Sequence, residues 1–141
     1  MFLLDTDHIG ILQRKTQPEY GRLCQRMGLH PPTAFSYSIV SFQEQVLGAN
    51  LYISKAKTVA GVLYGYMLLG MVLDTFAQVQ VLPFDQGAAD AFDLLQGKKV
   101  RIGTQDLRIA AIGLSRNFTV LTRNLRDFTK VPGLAVEDWT T

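Results

Sequence analysis

Residues Gln105–Thr122 read QDLRIAAIGLSRNFTVLT, and a change of period inside this stretch decides the fold. Apolar residues recur at helical spacing as far as Arg116, and Phe118–Thr122 (FTVLT) is then a short β-branched and aromatic run. A helix that feeds a strand is half of an alternating unit. The same alternation runs through the rest of the chain. Phe2–Asp5, Thr33–Val40 after Pro31-Pro32, Val79–Leu82 and an edge segment Leu134–Val136 read as strands. Asp7–Arg14, Pro18–Met27, Phe42–Ile53, Lys55–Gln78 and Gln86–Gln96 read as helices. Alternation of this kind requires crossovers, so the expectation is an α/β fold with a mainly parallel central sheet flanked by helices.

With 141 residues, 48% of them hydrophobic, the chain can bury one core without covalent staples, and a single domain over residues 1–141 is expected. No repeat, low-complexity run or linker interrupts it. Cys24 is the only cysteine; it has no disulfide partner and no companions for a zinc cluster, which suits a reducing cytoplasm. Met1–Leu4 runs straight into Asp5 without the basic and apolar regions of a secretory signal. The apolar stretch Val59–Leu73 is shorter than the roughly 20 residues that a membrane span needs, so no membrane is expected. Its Gly61 and Gly65 stand at GxxxG spacing.

The net charge of +2 is unevenly spread. Lys98, Lys99, Arg101, Arg108, Arg116, Arg123, Arg126 and Lys130 stand against Asp106, Asp127, Glu137 and Asp138 in the last third, while acids prevail before it. A basic segment with embedded acids suits a polyanion whose backbone is held while an acidic group works on it.

In open parallel sheets, ligands collect beyond the carboxyl ends of the strands. Asp5 ends the first strand, Glu44 is expected in the first turn after the second, Thr122 and Asn124 follow FTVLT, and Asp106 opens the helix that feeds it. Helix capping offers each acid another explanation: Asp7 as an N-cap, Ser41-Phe-Gln-Glu44 as a capping box, and Thr104 as a cap with Asp106 in its first turn. Asp5, closing an apolar strand, has no such explanation. Three carboxylates gathered at one sheet edge repel one another, and a hard divalent cation removes that cost. No HExxH or paired-cysteine motif offers zinc a site; His8 and His30 are single histidines expected at the surface or in turns.

Four segments, Phe2-Leu-Leu-Asp5-Thr-Asp-His-Ile, Ser38-Ile-Val-Ser-Phe-Gln-Glu44-Gln-Val-Leu-Gly-Ala, Ile102-Gly-Thr-Gln-Asp106-Leu-Arg-Ile-Ala-Ala and Leu121-Thr-Arg-Asn-Leu-Arg-Asp127-Phe, resemble in order the signature segments of PIN-domain nucleases. The likeness is closest to the VapC toxins of type II toxin–antitoxin pairs, down to the tail Val131–Trp139. It implies a three-layer PIN-like fold and a Mg²⁺- or Mn²⁺-dependent ribonuclease. Asp5, Glu44 and Asp106 would be the metal-holding and catalytic acids, with Asn124 and Asp127 in the fourth part of the catalytic site. Asn124 stands where some members carry Asp, which leaves one metal or two open. Thr6 and Thr122 could hold water, or be ordinary strand-end residues. A metal-activated water would attack the phosphodiester, and Lys98, Lys99, Arg101, Arg123 and Arg126 would hold flanking phosphates of the RNA.

The resemblance also implies a cytoplasmic homodimer inhibited by a VapB-like antitoxin. The Val59–Leu73 stretch with Leu47 and Tyr52 is a candidate cover for that contact, with core packing as the competing reading. Two further readings stay open: a haloacid-dehalogenase-like phosphatase with Asp5 as nucleophile and Asp7 as acid and base, and a PIN domain that binds nucleic acid with little cleavage.

Overall fold

The computed structural model describes residues 1–141. Five strands, β1 (Phe2–Leu4), β2 (Phe35–Ser38), β3 (Gln80–Leu82), β4 (Thr119–Leu121) and β5 (Val136–Glu137), form one sheet in the order β3-β2-β1-β4-β5. Every pairing is parallel. Seven helices connect them: α1 (Thr6–Arg14), α2 (Glu19–Met27), α3 (Ile39–Lys55), α4 (Val59–Ala77), α5 (Gln86–Gly97), α6 (Thr104–Arg116) and α7 (Leu125–Phe128).

A parallel sheet covered on both faces needs strands that are apolar on both faces, and FLL and TVL satisfy this with a period of two. Leu3 and Val120 point into one core with Leu107, Ile109, Ile112 and Phe128; Leu4 and Leu121 point into the other with Ile9, Leu23, Tyr37, Phe76 and Trp139. The result is helix, sheet, helix in three layers.

Several boundaries differ from those expected. The second strand ends at Ser38, and α3 begins at Ile39 instead of Phe42, because the Ser38 hydroxyl caps the helix by accepting from the Ser41 amide at 3.0 Å. Glu44 therefore sits in the second turn of α3, not the first, and Ser41 is not the cap. Asp5, not Asp7, caps α1 through the Thr6 amide at 2.8 Å, and Gly103 precedes α6 without a side-chain cap. The long helical pattern around Lys55 is broken at Ala56, where Thr58 caps α4.

The α4 helix is longer than its apolar stretch. Asp74 and Thr75 extend it to Ala77, and by length and composition alone it could cross a membrane. Its packing gives Gly65 another purpose. A Cβ there would lie 2.5 Å from Ile53 Cγ1, so the missing side chain lets α4 lie close along α3. Phe76 packs edge-on against Tyr37 and Phe42, and Gln13 donates to Thr75 at 3.1 Å. Outward from this seam, Leu63, Tyr64, Tyr66 and Met67 remain exposed.

Candidate active site

The strand order reverses direction between β1 and β4, since β2 and β3 lie on one side of β1 while β4 and β5 lie on the other. Crossovers leave that point in opposite directions and open a crevice beyond the strand ends. Asp5 follows β1 and Thr122 follows β4, so both stand at this crevice. Their backbones are tied there: the Asp5 amide donates to the Leu121 carbonyl at 2.9 Å.

A continuous chain of short polar contacts runs from Glu44 to Asp127. The Thr6 hydroxyl lies 2.9 Å from Ser41 Oγ and 3.3 Å from Glu44 Oε1, and its amide donates to Asp5 Oδ1. On the other oxygen, the Thr122 hydroxyl donates to Asp5 Oδ2 at 2.8 Å and itself accepts from the Asn124 amide at 3.0 Å. The Asn124 side-chain nitrogen then reaches Asp106 Oδ2 at 3.4 Å and Asp127 Oδ2 at 3.1 Å. Elements far apart in sequence thus bring Asp5, Glu44, Asp106, Asn124 and Asp127 to one place. Among the Thr6 and Thr122 alternatives, the hydroxyls are engaged with carboxylates.

Asp7 joins this group, a role that an N-cap reading does not give it. It accepts from the Arg123 amide at 2.9 Å, and its other oxygen lies 2.8 Å from His8 Nδ1. His8 is wholly buried, contrary to the surface or turn position expected. The Trp139 amide donates to its Nε2 at 3.3 Å, which places the ring proton on Nδ1, facing Asp7. His30 is exposed at a bend, as expected, with its ring against Phe2, Phe35 and Trp139. A single histidine gives no signal in the sequence for the burial of His8.

The charges are unequal in proton affinity. Burial, followed by the charges of Asp7 and Asp106, pushes the Asp5 carboxyl up to about 7 despite the Thr122 and Thr6 hydrogen bonds. Burial and then Asp106 raise Glu44. Burial, then Asp127 and Asp7, raise Asp106. Burial alone would raise Asp7 as well, but the His8 ring and the Arg123 amide outweigh it and hold Asp7 low. Asp127 is held low by Asn124 and by the cations Lys130 and Arg126.

Raised carboxylates that share repulsion and expose only oxygen donors fit a hard divalent cation. No group of three acidic, imidazole or thiol side chains is drawn tightly enough to enclose one alone.

The basic residues divide. Lys99, Arg101 and Arg126 line one cavity of about 810 Å³, together with Lys130, which sequence reasoning did not select. Lys98 does not line it, and Arg123 is placed on the Asp7 side of the site.

No protein-family model matches the chain. It is 30% identical to the tRNA(fMet)-specific endonuclease VapC of Salmonella typhimurium, over 98% of this chain and 97% of that protein. A crystal structure of DNA-bound VapBC from Salmonella typhimurium superposes with a TM-score of 0.74 at 28% identity, covering 98% of this chain and 97% of the other. The structure of VapBC-1 from nontypeable Haemophilus influenzae shares the fold, with a TM-score of 0.77 at 23% identity over 99% and 98% of the two chains.

Proposed function

The chain belongs to the VapC family of toxin endonucleases, and from that premise we propose that it is a Mg²⁺- or Mn²⁺-dependent ribonuclease neutralised by a cognate VapB-like antitoxin. The observation that carries the metal-dependent reading is the connected acid group at the β1/β4 crevice, Glu44–Thr6–Asp5–Thr122–Asn124–Asp106.

Asp5, Glu44 and Asp106 would hold the cation, which when bound supplies an acidified water and positive charge for the phosphoryl oxygens. The chain's own residues do the rest. Thr122 and Thr6 fix the two Asp5 oxygens by donating to them. Asn124 orients Asp106 and keeps Asp127 ionised beside it. Asp7 adds negative charge at the mouth, held by His8 and the Arg123 amide. Because these contacts occupy both Asp7 oxygens, that carboxylate is poorly set for the acid and base role a phosphatase would require.

The antitoxin would cover the apolar outer side of the α3–α4 pair, where Leu47, Tyr52, Leu63, Tyr64, Tyr66 and Met67 are exposed. The solved Salmonella relative is a VapBC complex. A homodimer and a cytoplasmic site of action complete the proposal. The function is tested by incubating RNA with purified wild type, Asp5→Asn, Glu44→Gln and Asp106→Asn in Mg²⁺ or Mn²⁺. Each substitution removes charge but little volume, so each is expected to abolish most cleavage in a folded protein; Asp127→Asn should be milder. Full activity in Asp106→Asn would overturn the assigned site. Binding without cleavage by the wild type would favour the nucleic-acid-binding reading.

A further inference from the structure

Ser41 does not cap α3; Ser38 does, accepting from the Ser41 amide at 3.0 Å. The Ser41 side chain is thus left without a helix-forming task. It is nonetheless wholly buried, at a position where alanine has the higher helix propensity and no hydroxyl to desolvate. Its hydroxyl meets two others, Ser38 at 3.3 Å and Thr6 at 2.9 Å. Ser38 is wholly buried as well, and Thr6 lies 3.3 Å from Glu44 Oε1. Ser41 and Glu44 stand three residues apart on α3, so both face the start of α1 from one side of the helix.

Counting protons gives this row of hydroxyls a direction. Each hydroxyl has one proton to donate, and an ionised carboxylate has none. Glu44 ends the row and can only accept, so the single Thr6 proton is committed to it. Thr6 then has none to offer Ser41, and the 2.9 Å contact is a donation from Ser41 to Thr6. With the Ser41 proton in use, Ser38 donates to Ser41. All three hydroxyls point toward Glu44, an arrangement in which each bond polarises the next.

Thr6 is where the row joins the rest of the site. Its amide donates to Asp5 Oδ1 at 2.8 Å while its hydroxyl serves Glu44, so one threonine ties together acids from two elements. As the first residue of α1 it has no helical carbonyl one turn back to hold its hydroxyl. Ser41 supplies that hold from α3. We propose that Ser41 is a positioning residue of the active site: by donating to Thr6 it fixes the rotamer that presents the Thr6 hydroxyl to Glu44, and so the placement of Glu44 beside Asp5. This rests on the ribonuclease reading above, in which Glu44 acts.

The test compares the full-length wild type with Ser41→Ala, Thr6→Val and the double variant. Ser36→Ala is the control, because Ser36 is also wholly buried but its hydroxyl meets Gln80 at 3.4 Å and none of the acids. Ser41→Ala keeps the amide that donates to Ser38, so α3 stays capped. Its kcat should fall by about 3- to 10-fold, as for one neutral hydrogen bond, with KM little changed. Ser36→Ala should keep the wild-type kcat. Thr6→Val should lose about tenfold or more, as for a bond to a charged group, and adding Ser41→Ala to it should lower kcat no further. Independently of activity, three-bond NMR couplings of Thr6 Cγ2 in EDTA should report one side-chain rotamer in wild type and Ser36→Ala, and averaging in Ser41→Ala. Ser41→Cys, which places only a weak donor there, gives the same comparison if Ser41→Ala fails to fold.

A wild-type kcat in Ser41→Ala, or Thr6 couplings that stay unaveraged there, would overturn the positioning role. The ribonuclease reading would stand if the wild type still cleaves and Glu44→Gln does not. Additive losses from Ser41→Ala and Thr6→Val would also overturn it, by showing that Ser41 does not act through Thr6. No cleavage of RNA by wild type would remove the ribonuclease reading and the positioning role with it.

Discussion

The Thr122 hydroxyl donates to Asp5 Oδ2 at 2.8 Å across the ends of two neighbouring parallel strands. Thr122 is wholly buried and Asp5 nearly so, so the bond fixes the carboxylate in the crevice and opposes the effect of burial on its proton affinity. Thr122→Val keeps the shape and removes the donor. It should raise the Asp5 pKa further and reduce cleavage by about tenfold to a hundredfold, as expected for a hydrogen bond to a charged group. Unchanged single-turnover rates in Thr122→Val at pH 7 would deny the bond this role.

Stability should depend on pH through the same residue. The folded-state pKa of Asp5 is about 7 against an ordinary 3.8, so the folded chain binds the proton more tightly than the unfolded chain. By linkage, this group's contribution is most favourable below the ordinary value and is lost as pH rises toward 7. Glu44 and Asp106, also raised, act in the same direction; Asp7, held low, acts in the opposite one. The difference between wild type and Asp5→Asn isolates the first contribution. In EDTA, the stability advantage of Asp5→Asn over wild type should grow between pH 4.5 and 7.5, measured by urea unfolding. A constant difference would contradict the assignment.

His8 links the acid group to the C-terminal tail, with Nδ1 at Asp7 and Nε2 accepting from the Trp139 amide. His8→Leu leaves that buried amide without its acceptor and Asp7 without its ring donor. A loss of about 1–3 kcal/mol in unfolding free energy is expected for the unsatisfied group. The cleavage rate should also fall, because Asp7 loses the contact that helps hold it. Wild-type stability in denaturant would show that the ring does not carry this link.

The acids and the sheet were legible in sequence for different reasons. Doubly apolar runs such as Phe2–Leu4 and Thr119–Leu121 leave little choice but buried parallel strands. Asp5 stood out because capping did not require it in the sequence, although the structure gives it that task as well. Ser41-x-x-Glu44 imitates a capping box and so points to the first turn for Glu44, whereas Ser38 takes the cap and Glu44 falls in the second turn. The four-residue α7 is too short to show a period. The burial of His8 arises from tertiary packing, and a lone ring leaves no spacing to read.

Product chemistry distinguishes the proposed hydrolysis from attack by the RNA's own 2′-hydroxyl. Water attack with departure of the 3′-oxygen leaves a 5′-phosphate and a 3′-hydroxyl and needs added Mg²⁺ or Mn²⁺. End-group analysis of the fragments should show those termini. A 2′,3′-cyclic phosphate formed in EDTA would exclude the mechanism, and a trapped phosphorylated Asp5 would turn the assignment to a phosphatase.

The central claim, a divalent-cation site built by Asp5, Glu44 and Asp106, is tested most directly by thermal melting of wild type and Asp5→Asn with Mn²⁺ and with EDTA at matched ionic strength. A ligand that binds only the native state stabilises it by RT ln(1 + [M]/Kd), about 2.7 kcal/mol at one hundred times Kd. Wild type should melt higher in Mn²⁺ than in EDTA. Asp5→Asn should melt above wild type in EDTA, because the burial of a charge and then its repulsion with Asp7 and Asp106 are relieved, and should lose most of the metal increment. A wild-type melting temperature unmoved by Mn²⁺ up to millimolar concentration would contradict the account.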